Sequence, residues 1–118
     1  KAGAMRWLNA FKNTSNGFVY ALKNEAAIRE EFLLLIVAIP LAFFVSDELH
    51  WRIAMLASIQ LLIVVEVLNT AIELTLDRIS LDMNHMTKLA KDLGSLAVFM
   101  AITLALVVWV GAAIDSYF

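Results

Sequence analysis

The sequence contains 118 residues, of which 62% are hydrophobic and only 17% are charged. Its mean hydropathy of +0.81 excludes an ordinary water-soluble domain, because such domains carry about 45–50% apolar and about 25% charged residues. The formal net charge of −2 argues against nucleic acid as a partner, and the absence of cysteine excludes disulfides and thiolate chemistry. The composition therefore predicts a small integral membrane protein with a single domain, residues 1–118.

The N-terminal region, residues 1–28, is predicted to be an amphipathic helical segment on the membrane surface. Trp7, Leu8 and Phe11 fall on one helical face, which is typical of helices that lie in the interface. A turn is predicted at residues 14–17, where Thr, Ser, Asn and Gly follow one another. The region has no continuous apolar stretch with a small-residue cleavage pattern, so it is not predicted to be a signal peptide.

Three apolar stretches predict three transmembrane helices. The first apolar stretch, residues 32–46, is short for a span of about 20 residues. The predicted span, residues 29–46, becomes long enough if its helix begins near Ala26. Pro40 within this stretch predicts a kink that a membrane helix tolerates. The second stretch, residues 53–76, is interrupted by polar side chains. The third, residues 93–114, contains no charged residue and is the clearest span.

The basic residues predict the orientation of these helices. The loop at residues 47–52 contains Arg52 alone, and no basic residue follows the third span. The others precede the first span or lie in the second loop, residues 77–92: Lys1, Arg6, Lys12, Lys23, Arg29, Arg78, Lys88 and Lys91. The positive-inside rule therefore places the N-terminus and the second loop in the cytoplasm. Trp51 and Trp109 are predicted to anchor the helices at the interface.

The second span carries polar side chains along one face, Glu66, Asn69, Glu73 and Asp77, which we call the acidic stripe. At about 100° per residue these positions fall within about 80° of one another. A carboxylate at the bilayer centre costs about 2.5–3.5 kcal/mol, so this face is predicted to meet protein or water rather than lipid. Glu66 lies about 10 Å further along the helix from the cytoplasmic end than Glu73. A structural role, a proton or ion pathway and a catalytic site at the membrane surface remain open.

The end of the second loop offers candidates for binding a charged ligand. Lys91 can neutralise a phosphate as a point charge. Asp92 is predicted to be a helix N-cap, with a metal or nucleotide contact as the alternative. Gly94 and Ser95 are predicted to serve helix packing, Gly94 by allowing close approach.

Two further sets of ionisable residues have ordinary interpretations. Glu25 shares a helical face with apolar residues, and its predicted partner is Arg29 in an i,i+4 ion pair. His50 and His85 are predicted to lie in loops. No second His or Cys stands at ligand spacing from either, so neither is predicted to bind a metal.

Three ordered motifs occur along the chain. Residues 24–31 have the pattern NEAAxRxE, residues 66–78 read EVLNTAIE followed by DR after three further residues, and residues 90–95 read AKDLGS. These motifs resemble those of the prokaryotic diacylglycerol kinases, whose patterns include E-[VIL]-x-N-[ST]-A-[IL]-E-x-x-x-D and A-K-D-x-[GA]-[SA]. Order and spacing agree over essentially the whole chain, and the run DRIS at residues 77–80 is closer to the Gram-negative diacylglycerol branch than to the undecaprenol kinases.

The resemblance implies a homotrimeric kinase of the bacterial inner membrane, with three transmembrane helices and an N-terminal surface helix in each subunit. It implies phosphorylation of diacylglycerol to phosphatidic acid, with ATP as co-substrate and Mg²⁺ as cofactor. Glu66 is then the general base, and Asn69 orients Glu66 or the substrate. Glu25 and Glu73 hold magnesium.

The resemblance implies further contacts with both substrates. Lys91 and Asp92 bind the nucleotide, and Thr14 lies near its phosphates. Arg6 and Ser95, together with the general base, contact the lipid substrate.

Three alternatives accompany this interpretation. Undecaprenol kinase shares the motifs. A proton-coupled transporter subunit would use Glu66 and Glu73 as a relay. A purely structural membrane trimer would use them to hold helices together.

Overall fold

A computed structural model describes residues 2–79 and 84–118, and these residues form four α-helices. The helices are α1, Ala2–Asn24; α2, Ala26–Val45; α3, Leu49–Ile79; and α4, His85–Tyr117. No strand occurs within the described residues, which confirms the prediction of an all-α protein. Lys1 and Ser80, which figured in the predicted charge distribution and in the DRIS run, lie outside the described residues.

The turn predicted at residues 14–17 is wrong, because α1 is continuous through them. Thr, Ser, Asn and Gly are poor helix formers, but each costs only about 1 kcal/mol or less. Thr14 stays within the helical pattern by donating its hydroxyl to the carbonyl of Ala10 at 2.9 Å. Phe18 packs edge-to-face against Phe32 of α2, with ring centroids 5.3 Å apart. Tertiary packing of this kind outweighs weak local propensity.

The junction between α1 and α2 consists of one residue, Glu25, in an extended conformation with φ −119° and ψ 100°. Its backbone N–H donates to the carbonyl of Ala21 at 3.0 Å, and its carbonyl accepts from Arg29 at 3.0 Å. The helical pattern is therefore interrupted at this one residue, while its backbone N–H and carbonyl are both hydrogen-bonded. The expected start of the second helix at Ala26 is confirmed.

Two helices of the described residues, α3 and α4, are long and apolar enough to cross a membrane. With 31 residues, α3 extends for about 47 Å, well beyond a hydrocarbon core of about 30 Å. The apolar part of α2 is preceded by Arg29, Glu30 and Glu31 in its first two turns. For this reason α2 does not have the combination of length and apolar composition that α3 and α4 have. Its role as a third span remains a prediction.

Both predicted loops are shorter than expected because α3 and α4 continue past their apolar segments. His50 and Arg52 belong to the first turns of α3, and His85 is the first residue of α4. The prediction that the two histidines lie in loops is therefore wrong. Asp92 is not an N-cap either, since Asn84 caps α4 by accepting a hydrogen bond from the Thr87 N–H at 2.9 Å.

The core of the bundle lies between α2, α3 and α4. Larger side chains of α3 meet alanines of the neighbouring helices in two clusters: Ala38, Ile59, Ile63 and Ala105 in one, and Ala42, Met55 and Ala112 in the other. Small residues let helix backbones approach closely, which drives helix association in a bilayer. Many large apolar side chains elsewhere stay exposed, as expected for a protein surrounded by lipid or by other membrane helices.

The bundle has two ends of different chemistry, which we call the Trp51 end and the Asp77 end. At the Trp51 end the indole N–H of Trp51 donates to Asp115 Oδ2 at 2.8 Å. Arg52 donates to the carbonyl of Ser46 at 2.7 Å and lies 4.1 Å from the ring centroid of Phe43. One turn further into the bundle, the indole of Trp109 donates to the carbonyl of Met55 at 3.1 Å. These contacts connect α2, α3 and α4 at the end of the bundle opposite the Asp77 end.

Candidate active site

The acidic stripe lies on the side of α3 that packs against the neighbouring helices. Asn69 is only 9% exposed, and Glu66 and Glu73 are half-buried. Asp77, at the end of the stripe, is exposed. The stripe therefore faces protein along most of its length, as expected from the cost of a carboxylate in hydrocarbon.

Four carboxylates gather near this face, and we call Glu25, Glu31, Glu66 and Glu73 the carboxylate cluster. The charges of Glu73 and Glu25 act on Glu66, and the charge of Glu66 acts on Glu31. One carboxylate oxygen of Glu31 is buried without a hydrogen-bond partner among the described residues. Sequence reasoning gave Glu31 no role, although it closes the NEAAxRxE motif directly before the apolar part of α2.

None of the four carboxylates has a cation as partner within the described residues. The ion pairs there are His50–Glu48, Arg52–Asp47, Lys88–Asp92 and Lys91–Asp77. The predicted ion pair between Glu25 and Arg29 is not formed, since Arg29 donates instead to the carbonyl of Leu22 at 2.8 Å. The carboxylate cluster consequently receives no compensating positive charge from these ion-pairing residues.

Asn69 and Gly94 lie against each other where α3 meets α4. A Cβ placed at Gly94 would overlap the side-chain oxygen of Asn69. That oxygen is buried and has no hydrogen-bond partner among the described residues. Gly94 thus allows the close helix approach that was predicted for it, and the approach encloses the amide beside Glu66 and Glu73. A buried acceptor without a partner is uncommon in proteins and marks a candidate binding position.

Lys91 connects α4 to the acidic stripe at the Asp77 end. Its ammonium donates to Asp77 Oδ1 at 3.0 Å, and its side chain is 27% exposed. Lys88 pairs with Asp92 at 2.8 Å on a more exposed surface, with 66% and 60% of the two side chains exposed. Of the two predicted nucleotide contacts, only Lys91 is therefore joined directly to a residue of the stripe.

The remaining predicted site residues are exposed. Arg6 and Thr14 lie on α1, and Ser95 lies on α4. The hydroxyl of Thr14 donates to its own helix, and α1 packs against α2. Within the described residues the structure brings Glu25, Glu66 and Glu73 together and leaves these three residues on the surface.

The carboxylate cluster suits a hard cation only in combination with other ligands. No group of three or more His, Cys, Asp or Glu among the described residues is arranged to hold a metal ion. Magnesium, however, is usually bound by one or two protein carboxylates together with substrate phosphates and water. Two glutamates would therefore fit magnesium together with a substrate phosphate and water, and they do not form a complete metal site by themselves.

An apolar groove lies along α3 and α4 and reaches the level of Val65. It has a volume of about 710 Å³ and runs between α3 and α4, lined by Leu61, Val65, Met100 and Leu104 among others. Val65 directly precedes Glu66 in the sequence. An apolar chain in this groove would bring its polar end to the level of the carboxylates.

Two long apolar helices in an all-helical protein, with half-buried carboxylates beside them, are typical of the class of integral membrane proteins. Residues 12–113 match the family model described as prokaryotic diacylglycerol kinase. The match covers most of the 118 residues, and the chain belongs to this family.

Relatives named diacylglycerol kinase confirm the assignment. The protein of Pseudomonas aeruginosa is 43% identical over 109 residues, which cover 92% of this chain and 89% of the relative. The protein of Haemophilus influenzae is 37% identical over 109 residues, 92% of each chain. That of Escherichia coli K12 is 35% identical over 107 residues, covering 91% of this chain and 88% of the relative.

Proposed function

We propose that this protein phosphorylates diacylglycerol with ATP to give phosphatidic acid at the cytoplasmic face of the bacterial inner membrane. Membership of the family and the names of the relatives support the activity. The single structural observation that carries the proposal is Glu66, a half-buried carboxylate within an apolar helix, grouped with Glu25 and Glu73. In the proposed assembly, a homotrimer, each subunit has three spans and an N-terminal surface helix, with the N-terminus in the cytoplasm.

Glu66 is the proposed general base. Its carboxylate takes the proton of the lipid's primary hydroxyl as that oxygen attacks the γ-phosphorus of ATP, and the bond to ADP breaks. Phosphoryl transfer needs mainly positioning and neutralisation of charge. Asn69 is proposed to orient Glu66, by donating from its side-chain nitrogen to the carboxylate, or to orient the lipid hydroxyl.

The depth of the glutamates along α3 supports this division of roles. Glu73 lies about 10 Å nearer the Asp77 end than Glu66, so a water-borne nucleotide would reach it first. Glu66 lies nearer the middle of the span, where the head of a membrane lipid can descend. The groove that begins at Val65 offers an apolar surface for part of an acyl chain.

Glu25 and Glu73 are the proposed ligands of magnesium. When bound, the ion would neutralise the negative charge of the phosphates during transfer. The absence of a cationic partner for either residue among the described ion pairs supports the assignment, because an uncompensated carboxylate pair favours a divalent cation. Lys91 and Asp92 are proposed to contact the nucleotide, Thr14 its phosphates, and Arg6 and Ser95 the lipid.

The test of the proposed function is phosphoryl transfer in mixed micelles. The purified chain is given ATP and magnesium, with a short-chain diacylglycerol and a polyprenol offered side by side. We expect transfer to diacylglycerol. Transfer to the polyprenol alone would keep the mechanism and replace the substrate, whereas transfer to neither would refute the kinase proposal and make ion flux the next measurement.

Replacing Lys91 by alanine should raise the apparent KM for ATP by about tenfold or more, because a hydrogen bond to a charged group contributes about 1.5–3 kcal/mol. Loss of its exposed ion pair with Asp77 should cost little stability. The measurement is initial rate against ATP concentration at saturating lipid. Asp77→Asn, which breaks the same ion pair but keeps the ammonium of Lys91, is the matched control and should leave KM within about twofold. An equal change in the two variants would refute a specific role for Lys91.

A further inference from the structure

Gly94 lies well inside α4, at a position where a side chain would collide with the candidate active site. A Cβ added there would overlap the side-chain oxygen of Asn69 and lie 3.1 Å from its Cγ. At Gly3 and Gly17, by contrast, an added Cβ would meet no atom within 4 Å. Glycine is less favourable than alanine in the interior of a helix. The contact with Asn69, and not the helix itself, therefore accounts for glycine at this position.

The contact with Gly94 decides which end of the Asn69 amide faces α4. The oxygen and the nitrogen of an amide have nearly the same shape, so the chemistry of their neighbours must distinguish them. The Cα–H groups of glycine are weak donors, and Cα–H···O contacts recur where helices pack. An amide nitrogen in the same place would set N–H groups against C–H groups with no acceptor between them. The oxygen therefore belongs on the side of Gly94, and the nitrogen, 3.9 Å from the added Cβ, lies farther away.

The amide nitrogen of Asn69 is left available for another partner. It donates no hydrogen bond within the described residues, and unlike the oxygen it is not enclosed. Glu66 and Glu73 lie one turn away on either side along α3, and a carboxylate only accepts hydrogen bonds. The amide oxygen in the place of the nitrogen would repel both carboxylates. The surroundings on α4 and on α3 consequently favour the same orientation of the amide.

We propose that Gly94 is a positioning residue for phosphoryl transfer: its lack of a side chain lets the oxygen of Asn69 rest against α4, which keeps the amide nitrogen directed to Glu66 or to the lipid hydroxyl. This inference rests on the proposed kinase function and adds a residue of α4 to it. Any side chain at residue 94 must displace the amide, because the two would occupy the same space. Helix packing alone, the role predicted from the sequence, does not require an effect that passes through Asn69.

Replacing Gly94 by alanine should lower kcat about ten- to a hundredfold, because misplacement of a reacting group by about 1 Å can cost about a hundredfold in rate. The apparent KM for ATP should stay within about twofold, since the nucleotide contact proposed for Lys91 does not involve the amide. Initial rates at varied ATP and saturating lipid measure both quantities. An unchanged kcat, or a raised KM with kcat unaltered, would overturn the proposal.

Gly111→Ala is the matched control. It makes the same change in the same helix, but the added Cβ would lie 3.4 Å from the ring of Trp51, which is ordinary van der Waals contact. Its kcat should stay within about twofold of the wild-type value. An equal loss of kcat in the two glycine variants would assign the effect of Gly94→Ala to helix packing and would refute the positioning role.

Combining Gly94→Ala with Asn69→Ala tests whether the effect passes through the amide. The activity-independent measurement is Tm in detergent. Gly94→Ala should lower Tm while Asn69 is present and raise it in the Asn69→Ala background, where the methyl group fills vacated space and alanine favours the helix. The kcat of the double variant should match that of Asn69→Ala alone. Equal changes of Tm in the two backgrounds would refute the contact, because residues that do not interact have additive effects.

The same samples distinguish failure of this proposal from failure of the kinase proposal. A wild-type chain that phosphorylates diacylglycerol, with Gly94→Ala equally active, keeps the kinase and refutes the role of Gly94. A wild-type chain that transfers no phosphate refutes the kinase, and the role of Gly94 in the transfer is refuted with it.

Discussion

Glu66→Gln is expected to lower kcat for diacylglycerol phosphorylation by at least about two orders of magnitude, while the protein still assembles and still binds Mg-ATP. Glutamine has nearly the shape of glutamate but cannot accept the hydroxyl proton, and a general base contributes about 10²–10⁴-fold. The charges of Glu73 and Glu25 act on Glu66, so removing its charge relieves repulsion and should not destabilise the fold. Initial rates at saturating substrates, together with nucleotide binding and oligomer size, measure the effect.

Glu30→Gln is the matched control for this variant. Glu30 lies on α2 beside the carboxylate cluster but is exposed, and its replacement should leave kcat within about twofold, as is usual for a surface change. A wild-type rate in Glu66→Gln would refute its role as base. Loss of assembly in that variant would instead assign Glu66 to the structural interpretation.

Glu73→Gln should change the response to magnesium. The concentration of free Mg²⁺ that gives half-maximal rate should rise by at least about tenfold, because loss even of an outer-shell partner lowers metal affinity about 10–100-fold. Raising magnesium further should recover part of the rate, which distinguishes this variant from Glu66→Gln. The measurement is initial rate against free magnesium at fixed ATP.

Glu48→Gln provides the comparison for the magnesium experiment. Glu48 is exposed at the Trp51 end, where its carboxylate lies 3.4 Å from His50, far along the bundle from Glu73. Its replacement removes the same charge and should not alter the magnesium midpoint. A midpoint for Glu73→Gln equal to that of Glu48→Gln would contradict its proposed role as a ligand.

The helical segments could be predicted because placing a charged side chain in hydrocarbon costs a large free energy. The position of each charged residue therefore limits the apolar segment beside it. The uncharged stretch at residues 93–114 gave the core of α4, and the acidic stripe followed from helical periodicity along α3. The helix ends could not be predicted in this way, since the bilayer limits the apolar segment and not the helix. For this reason α4 begins at His85 and places Asp92 in a helix interior. The continuity of α1 at residues 14–17 likewise depends on packing by Phe18, which is not visible in local propensity.

The composition of the candidate site was only partly accessible from the sequence. Spacing along one helix placed Glu66, Asn69 and Glu73 on one face. It could not show that Glu31 of α2 approaches Glu66, or that Gly94 of α4 lies against Asn69. Both contacts depend on how far one helix slides along another, and that register is set by the side chains at the helix contacts, such as the alanines of the core, rather than by any single segment.

The hydrogen bonds at the Trp51 end have a consequence for how such a protein can change. They connect three helices at positions remote from the carboxylate cluster. The stability of the bundle and the reactivity of its glutamates therefore depend on different residues. Substitutions at Trp51 and Asp115, whose side chains are joined by a hydrogen bond, are therefore expected to change the stability of the bundle and to leave phosphoryl transfer unaltered.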